Sequence, residues 1–440
     1  MMKVNISEHL PKYKRIQLGS YYTPEKLVNR VHEFIKPYLL NRQKDIVIFD
    51  SAGGCGAFLV NINNNDYRIA DCDSQACENL KKLFDKSKVF LTNSLVGVSR
   101  KKYLIPPTSF LIMIGNPPYN DTTSEFKNGE KGKNICDEDL FDRDLGVSFL
   151  KSYHKLEANI ICILHPLSYL IKEINFRRLR DFKDNYKLIK GEIFSSELFS
   201  GTGLSKFPIL VALYERNTEG MTFDYIRQFQ FDLLDKKRKF VLSNYITTDG
   251  YIDKYPPSKK DVKISPIGLY YYTFRDFNSL KRNASFITKQ HYNGIVVTLE
   301  NLYKYSYLYA LKKLFKPKDA WLYGNLSPLL IDDLEKNKGI YVSYALKTNR
   351  VFEEVDKSIY KKIIDYYKIN LGNIDNIDKL EIEINKKFNS DFEHRMMETD
   401  RSAIRASSSG LNASVSRFKK RERFKSGAGD QLEIQFNRER

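Results

Sequence analysis

The first half of the chain alternates short apolar runs with longer amphipathic stretches, which is the pattern of a β/α repeat. The apolar runs are short enough for strands buried on both faces, and the stretches between them repeat apolar residues at helical spacing. We therefore predict an α/β fold built on a mostly parallel, doubly wound sheet. The predicted strands lie at residues 45–50, 67–70, 89–91, 109–115, 159–164, 187–193 and 207–214.

The first predicted helix follows a turn at residues 19–24. Thr23 suits the N-cap, Pro24 suits the first helical position, and Pro37 is expected to end the helix. An ordinary packing helix explains this segment. The alternative is that the turn at Tyr22 and Thr23 faces a ligand carboxylate, which free amides at a helix start favour.

The texture changes at about residue 222, where tyrosines, lysines and short alternating runs dominate, and again at about residue 395, where the chain becomes rich in Arg, Ser and Ala. We predict a catalytic domain at residues 1–221, a mixed α/β domain at residues 222–394 and a basic, disordered tail at residues 395–440. A polar segment at residues 120–144 has the composition of a mobile loop that closes over a substrate.

Composition narrows the class of protein. Of 440 residues, 42% are apolar and 13% aromatic, as expected for a folded chain. We find no secretion signal and no run long enough to cross a bilayer, and therefore expect a cytoplasmic protein without membrane contact. The five cysteines include no Cys-x-x-Cys pair and the six histidines are scattered, so we predict neither a disulfide framework nor a metal site.

The formal charge of +18 and the pI of about 9.3 favour a polyanionic partner such as nucleic acid. A coding bias towards lysine explains the charge equally well.

Asn116, Pro117, Pro118 and Tyr119 directly follow the apolar run at residues 109–115 and carry the most specific chemistry. The prolines rigidify the turn and remove two backbone donors. The Asn116 side-chain oxygen and the Pro117 carbonyl then form a two-acceptor clamp for an NH₂ group, and Tyr119 offers a face for stacking a planar ring. The alternative is a plain proline-rich turn.

Three further segments suit a nucleoside-bearing ligand. The turn at residues 51–58 is rich in glycine and is expected to join a strand to a helix, which lets a ligand approach the backbone. Nicotinamide and flavin enzymes use similar turns. Asp71 or Asp73, after the second strand, suits a ribose diol unless it caps the next helix, and Asn93, after the third, suits an adenine edge.

Taken together, these motifs resemble those of S-adenosylmethionine-dependent N6-adenine DNA methyltransferases of the type II restriction-modification kind, with the cofactor motifs first and the target-recognition domain last. The resemblance covers about residues 15–215 and implies a Rossmann-like methyltransferase sheet followed by a DNA-recognition domain. It assigns catalysis to Asn116, Pro117, Pro118 and Tyr119, and S-adenosylmethionine binding to Tyr22, Thr23, Pro24, Asp50, Ala52, Gly54, Gly56, Phe58, Asp71, Asn93 and Asn116.

The resemblance also implies that Tyr119 and Phe199, or alternatively Phe207, sandwich an extruded base. The segment at residues 165–170 resembles the family's Pro-x-Ser-x-Leu element. Ser51, Gly53 and Cys55 differ from the family's commonest residues, and Asn93 stands where an Asp is usual.

We accordingly expect a monomer that methylates N6 of a flipped-out adenine in double-stranded DNA, with a cognate restriction endonuclease as a possible partner. The alternatives are N4-cytosine methylation, N5 methylation of a protein glutamine amide, and a binding-only protein that retains the fold.

Overall fold

The computed structural model of the chain describes residues 23–40, 45–60, 62, 66–119, 136–199, 206–234, 236–258, 263–317, 319–370 and 376–397. Its main feature is a nine-stranded mixed sheet in the order β3-β2-β1-β4-β5-β7-β6-β8-β9. The strands are β1 (Ile46–Asp50), β2 (Asp66–Asp71), β3 (Val89–Leu91), β4 (Phe110–Gly115), β5 (Ile160–Pro166), β6 (Tyr186–Ser195), β7 (Pro208–Arg216), β8 (Phe231–Leu233) and β9 (Lys236–Phe240).

The first five strands are parallel to one another, and β7 lies antiparallel between β5 and β6. The strand order reverses between β1 and β4, so this is a doubly wound, Rossmann-like α/β sheet, as predicted. The helices described up to β8 are α1 (Glu25–Leu39), α2 (Ser74–Leu83), α3 (Leu145–Lys155), α4 (Ser168–Ile171), α5 (Glu173–Arg178), α6 (Asp181–Asn185) and α7 (Phe223–Gln228).

Alternation of side chains along the central strands builds two apolar layers, one on each face of the sheet. Val47 and Phe49 of β1 join one buried cluster, whereas Ile48, between them, joins the other. On β4, Met113 and Ile114 divide in the same way. Both faces are therefore covered, which explains why these strands read as continuous apolar runs in the sequence.

The second part of the chain adds a three-stranded antiparallel sheet, in the order β11-β10-β12, and a set of helices. Its described elements are β10 (Tyr270–Tyr272), α8 (Phe277–Arg282), β11 (Phe286–Ile287), β12 (Gly294–Val296), α9 (Leu302–Leu314), α10 (Lys338–Thr348), α11 (Lys357–Tyr367) and α12 (Ile377–Met397). The tyrosines that dominate this region in the sequence are largely core residues, such as Tyr271, Tyr307 and Tyr341, each 0% exposed.

The boundary predicted at residues 221/222 is placed too early for the sheet, because β8 and β9 extend it to Phe240. The larger apolar cluster also runs across that boundary, from Val47 to Phe392. A buried ion pair ties the two parts together, since Lys172 Nζ lies 3.0 Å from Asp276 Oδ2 and Asp276 is 1% exposed. The two regions therefore pack as one body around a shared core.

Two predicted segments lie outside the described residues. They are most of the mobile loop, at residues 120–135, and most of the basic tail, from residue 398 onward. Within the described part of the chain, none of the helices combines the length and apolar character that crossing a bilayer requires.

Candidate functional site

The candidate site lies where β1 and β4 end side by side, at the point where the strand order reverses. Open α/β sheets bind ligands in the crevice outside the carboxyl ends of their strands at this position. Asp50 ends β1 and pairs with Ile114 of β4, so Gly115, the last residue of β4, lies beside the Asp50 carboxylate, and Asn116 is the first residue after the strand. The topology thus brings together two segments that are more than sixty residues apart in the sequence.

The Asp50 carboxylate is buried, with 1% of the residue exposed. Its Oδ1 accepts a hydrogen bond of 3.1 Å from the Ala52 amide, while its Oδ2 is buried without a hydrogen-bond partner among the described residues. Burial raises the pKa of Asp50 to about 7, the Ala52 amide lowers it, and the charge of Asp71 adds a smaller increase. An unpaired buried carboxylate oxygen is costly, so it marks this position as a candidate for a cationic or donor ligand.

The glycine-rich turn follows Asp50. Gly54 and Gly56 both adopt positive φ, of 53° and 78°, which side-chain-bearing residues rarely tolerate. A Cβ at Gly56 would lie 2.5 Å from the Phe84 ring, whereas one at Gly54 would meet no atom of the described residues within 4 Å. Gly56 therefore permits close packing, and Gly54 leaves its backbone facing open space where a ligand can approach. The helix predicted after this turn does not form, because residues 57–60 are a series of turns.

Asp71 and Asp73 have different hydrogen-bond partners in the structure. Asp73 caps α2, since its Oδ1 accepts from the Ala76 amide at 2.7 Å. Asp71 instead accepts from the Gly54 amide at 2.8 Å with one oxygen and from the Asp73 amide at 2.9 Å with the other. Burial raises the pKa of Asp71, and these two amides offset part of the increase. Asp71 thus fixes the glycine turn from the end of β2.

The backbone at Gly115 requires glycine on two grounds. Its φ is +140°, and a Cβ there would lie 2.7 Å from Asp50 Oδ1. The chain therefore bends out of β4 against the buried carboxylate, which delivers Asn116 into the crevice. Sequence reasoning used this glycine only as the end of a strand, since its conformation depends on a neighbour from another strand.

The Asn116 amide is oriented by Thr23. Its Nδ2 donates to Thr23 Oγ1 at 3.3 Å, and its Oδ1 is buried without a hydrogen-bond partner among the described residues. Pro117 is buried beside it. The amide thus presents a vacant acceptor, held by one bond from its own nitrogen, which is half of the predicted clamp for an NH₂ group.

The predicted roles of Thr23, Pro24 and Pro37 in capping are wrong. The N-cap of α1 is Pro24, no side chain of the described residues caps the helix, and Pro37 lies inside α1, which runs to Leu39. Thr23 is displaced from the cap because its hydroxyl bonds Asn116 across the crevice. Tyr22, predicted to bind the cofactor, lies outside the described residues.

Tyr119 is half-buried and packs against both apolar clusters, at the edge of the sheet where the two layers meet. Its Cβ lies 3.1 Å from where a Cβ on Gly146 would stand, in the first turn of α3. Pro118 is half-buried as well. The ring thus starts from a fixed backbone position at the crevice.

Of the remaining predicted residues, one fixes a turn and two are buried aromatic side chains. Asn93 follows β3, and its Oδ1 accepts from the Leu95 amide at 2.9 Å, which fixes the turn at that edge. Phe58 and Phe199 are 3% and 2% exposed and belong to the second apolar cluster. Phe199 packs against Phe194, with 6.1 Å between ring centroids, so in this arrangement it offers no open face for a base. Its stacking role stays a prediction, as does that of Phe207.

Sequence reasoning missed the pair of Asp144 and Tyr169, whose side chains hydrogen-bond beside Gly146. The Asp-x-Gly pattern before an apolar helix was an available N-cap signal for Asp144, and Asp144 does cap α3. Nothing in the sequence linked it to Tyr169. Within the described part of the chain, no three His, Cys, Asp or Glu side chains are grouped to hold a metal ion.

No family model and no curated protein matches this chain. Among solved structures, a putative RNA methyltransferase from Pyrococcus horikoshii is 15% identical, with 46% of this chain and 88% of that chain covered and a TM-score of 0.30. The type I restriction-modification system methyltransferase subunit from Streptococcus thermophilus is 16% identical, with 47% and 48% covered and a TM-score of 0.32. A putative class I S-adenosylmethionine-dependent methyltransferase from Listeria monocytogenes is 14% identical, with 50% and 69% covered and a TM-score of 0.35. At these identities and TM-scores, the similarity gives no evidence about function. The functional argument therefore depends on the residues of the site.

Proposed function

We propose that this protein is a DNA methyltransferase that transfers a methyl group from S-adenosylmethionine to N6 of an adenine extruded from double-stranded DNA. The observation that carries the proposal is a pair of buried acceptors, Asp50 Oδ2 and Asn116 Oδ1, that lie without protein partners among the described residues at the ends of adjacent strands. One is a carboxylate and the other an amide oxygen. A cationic ligand and a neutral NH₂ group would satisfy them respectively.

The residues at the crevice fit a nucleoside cofactor that carries positive charge. The Gly54 backbone faces open space, and Asp71, at the end of β2, can hold a ribose hydroxyl while it braces the turn. Asp50 places a carboxylate where the sulfonium and ammonium of S-adenosylmethionine would be favoured. The bound cofactor would supply the methyl group on a sulfonium that is already activated.

Asn116 would act on the acceptor substrate. Its Oδ1 would accept a hydrogen bond from the adenine amine, and the Pro117 carbonyl, on a backbone without an amide hydrogen, would accept the second. Together they would hold the nitrogen lone pair out of conjugation and direct it towards the methyl group. Tyr119 would stack on the base. No side-chain base is needed before attack, because the amine nitrogen would displace a neutral thioether from the sulfonium. The methylated nitrogen would then carry the positive charge and release one proton to water.

The second part of the chain supports a duplex DNA substrate. His291, in the segment that joins β11 to β12, forms an aromatic stack with Tyr272 of β10, 5.5 Å away, and with Tyr292, 4.2 Å away. Tyr292 is 55% exposed, and Lys289 is exposed beside it. Exposed rings and cations of this kind suit bases and phosphates. Together with the net charge of +18, they favour a polyanionic substrate over a protein amide.

A short stretch of chain connects this stack to the junction with the catalytic part. Tyr272 ends β10, and Asp276, four residues later, forms the ion pair with Lys172. Four residues reach at most about 14 Å, so the stack lies close to the junction of the two parts. Lys172 in turn follows β5 by a single short helix, which places the junction next to the carboxyl edge of the sheet.

The test is methyl transfer by Asn116→Ala. Unmethylated plasmid DNA and radiolabelled S-adenosylmethionine would be incubated with the wild type and the variant, and the DNA would be hydrolysed for base analysis. We expect N6-methyladenine from the wild type and none from the variant, with cofactor affinity largely kept. N4-methylcytosine would reassign the base, a labelled protein would reassign the substrate, and an active variant would refute the clamp.

A further inference from the structure

Beside Tyr119 lies a hydrogen-bonded pair of side chains, Asp144 and Tyr169, that takes no part in the proposed methyl transfer. Asp144 caps α3 by accepting from the Gly146 amide at 3.0 Å, and the same oxygen accepts from the Tyr169 hydroxyl. Gly146 lies between the two partners and Tyr119. The pair is therefore not an isolated contact, because it adjoins the backbone from which the Tyr119 ring extends.

Gly146 has no room for a side chain. A Cβ there would collide with the Tyr169 hydroxyl and would lie 3.1 Å from Tyr119 Cβ. This glycine is helical, so no unusual backbone angle requires it. The requirement is close approach: the bare Cα lets the hydroxyl reach Asp144 and lets Tyr119 rest on the first turn of α3.

Tyr169 cannot move away from such a collision, because its ring is buried and stacked on His165. It is 3% exposed and stacks on His165 with centroids 5.3 Å apart and planes 8° apart. His165 is itself held by two bonds: its Nδ1 donates to the Pro166 carbonyl at 2.9 Å, and its Nε2 accepts from the Tyr214 hydroxyl at 2.7 Å. Burial lowers the pKa of His165 to about 4, so this ring stays neutral and keeps both bonds.

We propose that Tyr169 and Asp144, acting across the bare Cα of Gly146, are positioning residues that set the place of Tyr119 for stacking on the target base. The inference rests on the proposed function for the role of Tyr119. Pro117 and Pro118 fix the backbone on one side of Tyr119, and the first turn of α3 fixes it from below. A stacking ring held in advance costs less entropy on binding and keeps the amine aligned with the methyl group.

Because Asp144 is ionisable, the proposed positioning of Tyr119 should depend on pH, which a purely structural contact would not. Burial raises the pKa of Asp144 to about 6, although the bonds from Tyr169 and Gly146 and the charge of Arg178 lower it. Asp142, on the same segment, raises it and is itself paired with Arg178. Protonation below this pKa removes the charge that holds the Tyr169 hydroxyl.

The kinetic test compares the wild type with two variants under saturating cofactor, so that titration of the cofactor site does not contribute. Wild-type kcat for plasmid methylation should fall on the acid side with a midpoint near pH 6. Tyr169→Phe removes the donor and keeps the ring, so kcat should fall about tenfold and the midpoint should move up by about one unit. Asp144→Asn keeps a capping oxygen and should abolish the acid limb. An unchanged limb in both variants would overturn the proposal.

The structural test does not depend on activity. Crystal structures of Gly146→Ala and of a matched control, Gly339→Ala, would be compared with that of the wild type. Gly339 lies in α10, where a Cβ would make only an ordinary contact, 3.8 Å from the nearest atom. We expect Tyr119 to be displaced in the first variant and unmoved in the second. Tyr119 in its original place in Gly146→Ala would refute positioning. An inactive wild type would instead refute the proposed function and leave this comparison decisive.

Discussion

Cofactor affinity should depend on the ionisation of Asp50, and the dependence can be worked out from the structure. With no cation beside it, the buried carboxyl has a pKa of about 7. If only the ionised form receives a cationic ligand, the competent fraction falls from about one half at pH 7 to about one thirtieth at pH 5.5. We therefore expect S-adenosylmethionine to bind about 15-fold more weakly at pH 5.5, a loss of roughly 1.6 kcal/mol.

Isothermal titration calorimetry between about pH 5.5 and pH 7 measures this effect. The ammonium of the ligand stays largely protonated in that range, because α-amino groups have pKa values near 7.7–8.0. Asp50→Asn should bind about 10- to 100-fold more weakly at pH 7, as expected for the loss of a charge-assisted hydrogen bond, and should lose the pH dependence. Asp71→Asn is the control, since it should weaken binding but keep the dependence on Asp50. Wild-type affinity that is constant over this range would refute the reasoning.

The same carboxyl should cost stability. The folded protein keeps the Asp50 proton up to about pH 7, whereas an unfolded chain releases it near pH 3.8, so the stability of the free protein declines as the pH rises between these values. The difference of about three pKa units means that the ionised Asp50 lowers the free energy of unfolding by about 4 kcal/mol. The buried amide of Asn, which lacks a hydrogen-bond partner, would lower it by about 1–3 kcal/mol instead. We expect Asp50→Asn to be about 1–3 kcal/mol more stable near pH 8 in urea unfolding. A variant less stable than the wild type would contradict this account.

Three further predictions concern the candidate site and the aromatic stack that contains Tyr292. Gly115→Ala should lower the free energy of unfolding by about 1–3 kcal/mol in urea, because of its φ and its contact with the Asp50 carboxylate, whereas Gly339→Ala should be neutral or slightly stabilising. Thr23→Val removes the acceptor that orients Asn116, so kcat should fall about tenfold in the plasmid assay under saturating cofactor; an unaltered kcat would show that the bond is dispensable. Tyr292→Ala should weaken DNA binding in fluorescence anisotropy by about 1–3 kcal/mol, and Tyr366→Ala, an equally exposed tyrosine on α11, should not; equal losses would exclude a specific role for the stack.

The sequence by itself determined the sheet of the first half and the place of the site. Strands buried on both faces are continuous apolar runs, and the residues at their carboxyl ends collect at one edge, so Asp50, Asp71, Asn93 and Asn116 could be assigned to that edge of the sheet from local pattern alone. The turns at glycine and proline could also be predicted from the sequence, because the backbone constraints of these residues are local.

The tertiary structure decided which partner each polar group takes. Thr23 has the residue type of a cap, yet its hydroxyl bonds Asn116, and of two equivalent aspartates one caps a helix and the other braces the glycine turn. The pair of Asp144 and Tyr169 and the extension of the sheet by β8 and β9 are likewise contacts between distant segments. Hydrogen bonds and pKa values depend on which atoms meet and how much water is excluded, and a periodic sequence pattern fixes neither.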